Sequence, residues 1–194
     1  MTADVIVNQK RALRMELRAR RNQLTATEKK DFRAGLSAQM IALATELKVR
    51  SLSCYLSAPD EPDTRGFLNW AFENGVEVLL PISREDGLLD WVVSDGQSEQ
   101  PGLYGMPEPV GEILSPMAIN SVDLILIPAS AVDQSGVRMG WGRGYYDRTI
   151  GSMEARPPVY AVIFDNELLE RVPKEDHDAR VDGIVTPTLT LRFD

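Results

Sequence analysis

The chain has 194 residues, of which 43% are hydrophobic and 26% charged, and it carries a formal net charge of −8. These figures are those of an ordinary globular protein and suit a single domain spanning residues 1–194. They argue against a nucleic-acid binder, which needs a basic footprint; no apolar run reaches the length of a membrane-crossing helix, and the opening residues are basic and amphipathic where a signal peptide would be apolar, so neither nucleic acid nor membrane is an expected partner.

Residues 4–22 read as a first helix, with Leu13 and Leu17 at helical spacing. Lys10, Arg11, Arg14, Arg18, Arg20 and Arg21 crowd into it against Glu16 alone. Such a cluster on an acidic protein is either a solvated face or the counter-charge for an anionic ligand. Lys10 and Arg14 lie one turn apart and can meet the same anion. Thr25-Ala-Thr-Glu28 has the form of a capping box and opens a second helix to about Leu47, with Phe32, Leu36, Met40, Leu43 and Leu47 along its apolar stripe. Ser51–Ser57 reads as a first strand. It holds the lone cysteine, Cys54, which is expected to pack as a small core residue. One cysteine and one histidine, His177, exclude an internal disulfide and a His/Cys zinc site, and fit a reducing, cytoplasmic setting.

A proline-rich acidic loop, Ala58–Asp63, leads to Thr64, expected to cap a third helix that ends at Gly75. Strands are predicted over Val76–Pro81, Leu88–Val93, Val122–Ile127, Val159–Phe164 and Gly183–Thr186, with Ser94–Ser115 as loop and a short helical turn over Asn166–Arg171. The run Val122–Ile127, broken by Asp123, is otherwise made of β-branched and Leu residues, the mark of a central buried strand. Strands alternating with helices predict a three-layer α/β sandwich around an open, largely parallel sheet, with ligands beyond the carboxyl ends of its strands.

One such end carries the most informative stretch, Asp123–Asp147. A buried strand gives way to a loop containing Gly136, Gly140, Gly142 and Gly144, then to a helix starting near Gly144 and running toward Glu154. Glycines let backbone amides approach a ligand closely, a helix N-terminus attracts anions, and Arg138 and Arg143 add forked positive charge. Asp147, one turn into the helix, has the position and chemistry to hold a metal. The spacing matches neither the Walker A loop nor the dinucleotide fingerprint.

Five segments in order give a resemblance. Lys10-Arg-Ala-Leu-Arg14, Tyr55-Leu-Ser57 with Asp60-Glu61, Tyr104-Gly-Met-Pro-Glu-Pro109, Arg138-x-Gly-x-Gly-x-Gly-Tyr-Tyr-Asp147 and Pro173-x-Glu-x-His-Asp178 with Val181-Asp182 resemble the 5-formyltetrahydrofolate cyclo-ligase (methenyltetrahydrofolate synthetase) family over nearly the whole length. The chain departs from the family's usual pattern at Pro128-Ala129, where it has Pro-Gly, at Val132-Asp133, where it often has Phe-Asp, and at Arg143, where it has glycine or lysine; Trp141 fills a variable position. The resemblance implies an ATP- and magnesium-dependent ring closure of 5-formyltetrahydrofolate to 5,10-methenyltetrahydrofolate through an N5-iminium phosphate, with ADP and phosphate released. By the same resemblance Lys10, Arg14, Arg138 and the Gly140–Tyr146 segment (Gly140, Trp141, Gly142, Arg143, Gly144, Tyr145, Tyr146) would hold ATP, with Arg138 and Arg143 neutralising the phosphoryl group in flight. Asp147 and Asp178 would hold magnesium, with Asp176 and Asp182 as nearby alternatives for the second carboxylate. Leu56, Glu61 and Tyr145 would face the pterin, with Trp91 a further pocket candidate and His177 beside the metal acid or in a structural hydrogen bond. A paralogue acting on another activated amide, or a binding protein without turnover, would share these features.

Overall fold

The computed structural model describes residues 3–153, 156–175 and 178–193; Glu154, Asp176 and His177, weighed above, lie outside the described residues. Two helices come first, α1 (Ala3–Asn22) and α2 (Ala26–Glu46). The capping box forms between them. Thr25 Oγ1 accepts from the Glu28 amide at 3.2 Å, and the Glu28 carboxylate accepts from the Thr25 amide at 2.8 Å. Two donors that a helix start would leave orphaned are thereby satisfied.

There follow β1 (Ser51–Ser53), α3 (Arg65–Glu73), β2 (Glu77–Ser83), β3 (Leu89–Val93), β4 (Glu99–Pro101), β5 (Pro107–Pro109) and β6 (Ile113–Leu114). Then come β7 (Leu124–Pro128), β8 (Ala131–Asp133), β9 (Arg138–Met139), α4 (Tyr145–Gly151), β10 (Val159–Val162), β11 (Leu168–Leu169), β12 (Gly183–Val185) and β13 (Thr190–Arg192). The main sheet runs in the order β13-β12-β10-β7-β1-β2-β3-β6. Its middle strands, β12, β10, β7, β1 and β2, are parallel, and β13, β3 and β6 add antiparallel edges.

Strand β7 shows why the sheet is covered on both faces. Leu124 and Leu126 enter one core with Leu36, Met40 and Leu43 of α2 and Phe67 of α3. Ile125 and Ile127 point the other way into a second core with Ile119 and with Ile150 of α4. Successive side chains on a strand alternate faces, so one unbroken apolar run serves two cores and the helices on either side complete a three-layer sandwich. A smaller sheet, β11-β8-β9, sits beyond the carboxyl end of β7. Its residues Ala131 and Met139, with the neighbouring Val137, pack against Leu17 of α1, which fixes α1 over this end of the main sheet.

Several expectations need correction. Ser94–Ser115 is not simple loop: β4 and β5 form a hairpin and β6 pairs with β3. Glu99-Gln-Pro101 and Pro107-Glu-Pro109 lack apolar alternation, so backbone pairing alone makes them strands. Thr64 stands at the N-cap of α3, but its hydroxyl donates to Tyr55 O at 2.7 Å instead of capping; Asp63 Oδ1 accepts from the Arg65 amide at 2.9 Å. Only Ser51–Ser53 of the expected first strand joins the ladder. The turn expected over Asn166–Arg171 is a 3₁₀ turn, Asp165–Glu167, followed by β11. Strand β13 was not foreseen. Trp91 is fully buried in the core, with Nε1 donating to Pro116 O at 3.3 Å, and is not a pocket residue.

Candidate active site

The inward stripe of α1 is made of cations as much as of leucines. Lys10, Leu17 and Arg21 are buried, and Leu13 and Arg14 are half-buried between them; steps of three, four and seven residues place all five on one side of a helix. The basic cluster is therefore split: Lys10, Arg14 and Arg21 turn inward, and Arg11, Arg18 and Arg20 are exposed. Lys10, 4% exposed, donates from Nζ to Asp178 at 2.6 and 2.8 Å and to Glu175 at 2.7 Å. Arg14 Nε donates to Gly140 O at 2.7 Å. Burial lowers the Arg14 pKa, against the opposing pull of Asp178, Glu175 and Asp147.

The glycine loop wraps around these side chains. A Cβ on Gly140 would come within 2.8 Å of the Arg138 guanidinium, and one on Gly142 within 3.3 Å of that of Arg14. Gly144 turns the chain into α4 at φ +70° without a side-chain cap, leaving the first amides of the helix unclaimed by a capping group. Arg138, 3% exposed, donates to Asp147 Oδ1 at 2.7 Å and to Pro128 O at 3.0 Å, and its buried Nε has no partner among the described residues.

Beside this charged cluster lies a cleft of about 450 Å³. Arg138, Gly140, Trp141, Arg143, Gly144, Tyr145, Tyr146 and Asp147 line it from the glycine loop and α4, and Leu56 and Glu61 from the loop after β1. Lys10, Arg14, Gly142 and Asp178 do not line it; they stand behind the loop, with Arg14 joining the two groups through Gly140. Glu61 accepts from the Ala58 amide at 3.0 Å. Burial raises its pKa, and that hydrogen bond together with Arg21 and Arg18 offsets the rise in part. Tyr145 donates to Arg84 O at 2.8 Å; the Tyr146 hydroxyl is pushed up by burial and stays neutral. Both rings touch the cleft and also pack on the second core. Arg143 stacks on Tyr104 with Cζ 3.3 Å from the ring centroid.

Sequence reasoning missed several residues here. Arg21, 2% exposed, grips Glu167 through Nε and a terminal nitrogen at 2.6 and 2.8 Å and donates to Ala129 O at 2.9 Å and Asp60 O at 3.2 Å. It thus ties together the loops that follow β1, β7 and β10. It also meets Trp141, a residue expected at the nucleotide, whose ring centroid is 4.8 Å from the guanidinium carbons of both Arg18 and Arg21, contacts worth about 0.5–2 kcal/mol per cation. Extending the helical stripe by two more turns from Lys10 and Arg14 would have found Arg21. Tyr55, Ser83, Tyr104 and Glu108 also line the cleft; of these, only Glu108 and the tyrosines lay within motifs singled out above.

For a metal, the donors are carboxylates of the hard oxygen type that magnesium accepts. Asp147 spends one oxygen on Arg138, and among the described residues the other has no donor. Asp178 is occupied by Lys10 and by the Glu175 amide, at 2.7 Å. The described residues contain no cluster of three or more His, Cys, Asp or Glu side chains able to enclose an ion. Magnesium, which keeps several waters and takes one or two carboxylates, fits such a donor set; an ion needing a full protein cage does not.

The sequence matches the 5-formyltetrahydrofolate cyclo-ligase family over residues 6–187. The chain belongs to that family. It is 36% identical over 143 residues to the 5-formyltetrahydrofolate cyclo-ligase of Mycolicibacterium smegmatis, covering 71% of this chain and 74% of the relative. Similarity to the 5-formyltetrahydrofolate cyclo-ligase of Mus musculus extends over 198 residues at 27% identity, 95% of this chain and 97% of the other. The structure of Aquifex aeolicus 5,10-methenyltetrahydrofolate synthetase superposes with a TM-score of 0.78 at 26% identity over 94% of this chain and 92% of that one. The Mycoplasma pneumoniae 5,10-methenyltetrahydrofolate synthetase shares the fold, with a TM-score of 0.74 at 19% identity over 92% and 98% of the two chains.

Proposed function

We propose that the protein uses ATP and magnesium to close 5-formyltetrahydrofolate into 5,10-methenyltetrahydrofolate, releasing ADP and phosphate. One observation carries this reading: Arg14, Arg138 and the glycine loop meet Asp147 at the edge of a cleft whose other lining includes a desolvated carboxylate, Glu61. Phosphate chemistry and pterin recognition are thereby adjacent.

The formyl group on N5 is an amide whose oxygen leaves poorly. In the proposed reaction that oxygen attacks the γ-phosphorus, the bond to the β-bridging oxygen breaks, and ADP departs. N10 then attacks the formyl carbon of the resulting iminium phosphate and loses its proton, and the carbon–oxygen bond breaks to release phosphate. The chain's task is alignment and charge neutralisation. Arg138 and the amides around Gly140–Gly144 hold the phosphates from one side, and Lys10 and Arg14 from behind the loop. Arg143 leaves Tyr104 to reach the phosphoryl group. Glu61 pairs with N–H donors of the pterin, and Leu56 and Tyr145 contact the ring. Asp147, with Asp178 as second carboxylate, would hold magnesium, which supplies positive charge to the phosphate oxygens when bound.

The charge pairs of the site fit this scheme. Lys10 is matched to Asp178 and Arg138 to Asp147, so cations meant for phosphate and carboxylates meant for metal neutralise one another. Nucleotide and metal arriving together exchange partners without leaving a buried charge alone, a situation that costs about 3–5 kcal/mol. The test is direct: protein, magnesium, ATP and 5-formyltetrahydrofolate generate the near-ultraviolet absorbance of the methenyl product. ATP hydrolysis without that absorbance, or no turnover at all, overturns the proposal.

A further inference from the structure

Glu108 has no place in the reading so far, yet it is one of the most deeply buried acids in the cleft. It lies in β5 opposite Gln100 of β4, and its side chain reaches the carboxyl end of β2, where Oε1 accepts from the Ser83 amide at 2.8 Å. It is 6% exposed and lines the cleft with Ser83 and Glu61. Among the described residues no cation pairs with it and nothing donates to Oε2. Gly102 is shaped to admit it: a Cβ there would sit 2.0 Å from Glu108 Cδ and 2.1 Å from Oε2, although its φ of −96° would accept any residue.

A buried carboxylate that meets one amide is under-satisfied, because each of its oxygens accepts readily and desolvation without donors is costly. If the Ser83 amide were its whole purpose, a glutamine would serve without the charge. The missing donors must come from what fills the cleft. A reduced pterin offers several, namely the 2-amino group, N3–H and N8–H, more than Glu61 can take alone. We infer that Glu108 is a second recognition carboxylate for the pterin, its Oε2 accepting a ring N–H that Glu61 does not reach. This rests on the proposed folate substrate and adds a specificity-determining residue to it.

Calorimetry tests the inference without catalysis, using 5-formyltetrahydrofolate and, separately, a non-hydrolysable ATP analogue with magnesium. Glu108→Gln keeps an acceptor for the Ser83 amide. It should bind the folate about tenfold or more weakly, the scale of a hydrogen bond to a charged group, while nucleotide affinity changes by less than about twofold and the melting temperature holds. Gly102→Ala, which leaves Glu108 in the sequence but denies it its seat, should reproduce the selective loss and keeps the inference testable should Glu108→Gln not fold. Folate analogues lacking the 2-amino group, or with carbon in place of N8, provide the chemical complement: one of them should lose affinity for the wild type and not for Glu108→Gln. Unchanged folate affinity in the variants, or equal weakening of folate and nucleotide, overturns the assignment while leaving the proposed function standing. A wild type that binds folate without turning it over removes the proposed reaction and leaves Glu108 to be judged by the same titrations. A wild type that binds no reduced pterin overturns both.

Discussion

The two sides of the site handle charge in opposite ways. On the side proposed for phosphate the buried cations already have anionic partners: Lys10 with Asp178 and Glu175, Arg138 with Asp147, Arg21 with Glu167. On the other side Glu61 and Glu108 are held by a backbone amide each and, among the described residues, by no ion pair. In the proposed reaction the phosphate side would exchange partners when its ligand arrives, and the pterin side would only have to accept donors from its own. Matched charges limit the cost of burial on the first side, and acceptors without ion pairs would make the second selective for a ligand rich in donors.

The comparison would break most visibly at Arg21, the one matched cation that touches three loops at once. Arg21→Met strands Glu167, 2% exposed in its side chain, without a counter-charge. The expected loss of unfolding free energy is about 3–5 kcal/mol, read by denaturant titration. Adding Glu167→Gln to the same chain should recover part of it, because the stranded charge is then gone. A single variant as stable as the parent would mean that the pair is incidental to the matched architecture.

Asp147→Asn sharpens the claim that pairs on the phosphate side are there to be exchanged. The amide oxygen still accepts from Arg138, so the fold and the resting geometry survive, but the charge that would draw a metal is gone. Turnover at fixed magnesium should fall about a hundredfold, equivalent to about 2.7 kcal/mol of barrier, and higher magnesium should restore part of it. A magnesium titration superimposable on that of the parent would exclude Asp147 from the metal.

Much of this difference was legible in the residues, and what was not has physical reasons. Strand β7 announced itself because Leu124–Ile127 feed two cores at once, and the glycine loop because only a close backbone approach explains so many glycines beside arginines. The capping box at Thr25 formed as read, since it depends on residues three apart. Thr64 did not cap, because Tyr55 O, nine residues away, competes for its hydroxyl; no local pattern contains that competitor. The hairpin carrying Glu108 was invisible because Glu99-Gln-Pro101 and Pro107-Glu-Pro109 have no apolar alternation. The pairing of Lys10 with Asp178 and Glu175 spans more than 160 residues. Sequence gave the types of charge at the site; only the fold shows which are already matched.

The smallest effect expected concerns Glu61, which is held by the Ala58 amide. Burial raises its folded pKa above the ordinary glutamate value. Between those two values the folded state holds a proton that the unfolded state has released, so stability falls as pH rises through that interval and levels off above the folded value. Glu61→Gln, which cannot ionise, should lack this decline, and the difference between the two denaturation profiles isolates the residue from Glu167, whose pKa burial also raises. Ligand binding should run the other way. If Glu61 takes pterin N–H donors as a carboxylate, folate affinity rises over the same interval in which stability falls, since the ligand supplies the donors that the empty cleft lacks. Folate affinity that is flat across that interval in the parent would show that Glu61 does not bind through its charge, and the contrast between the two sides of the site would lose its basis on the pterin side.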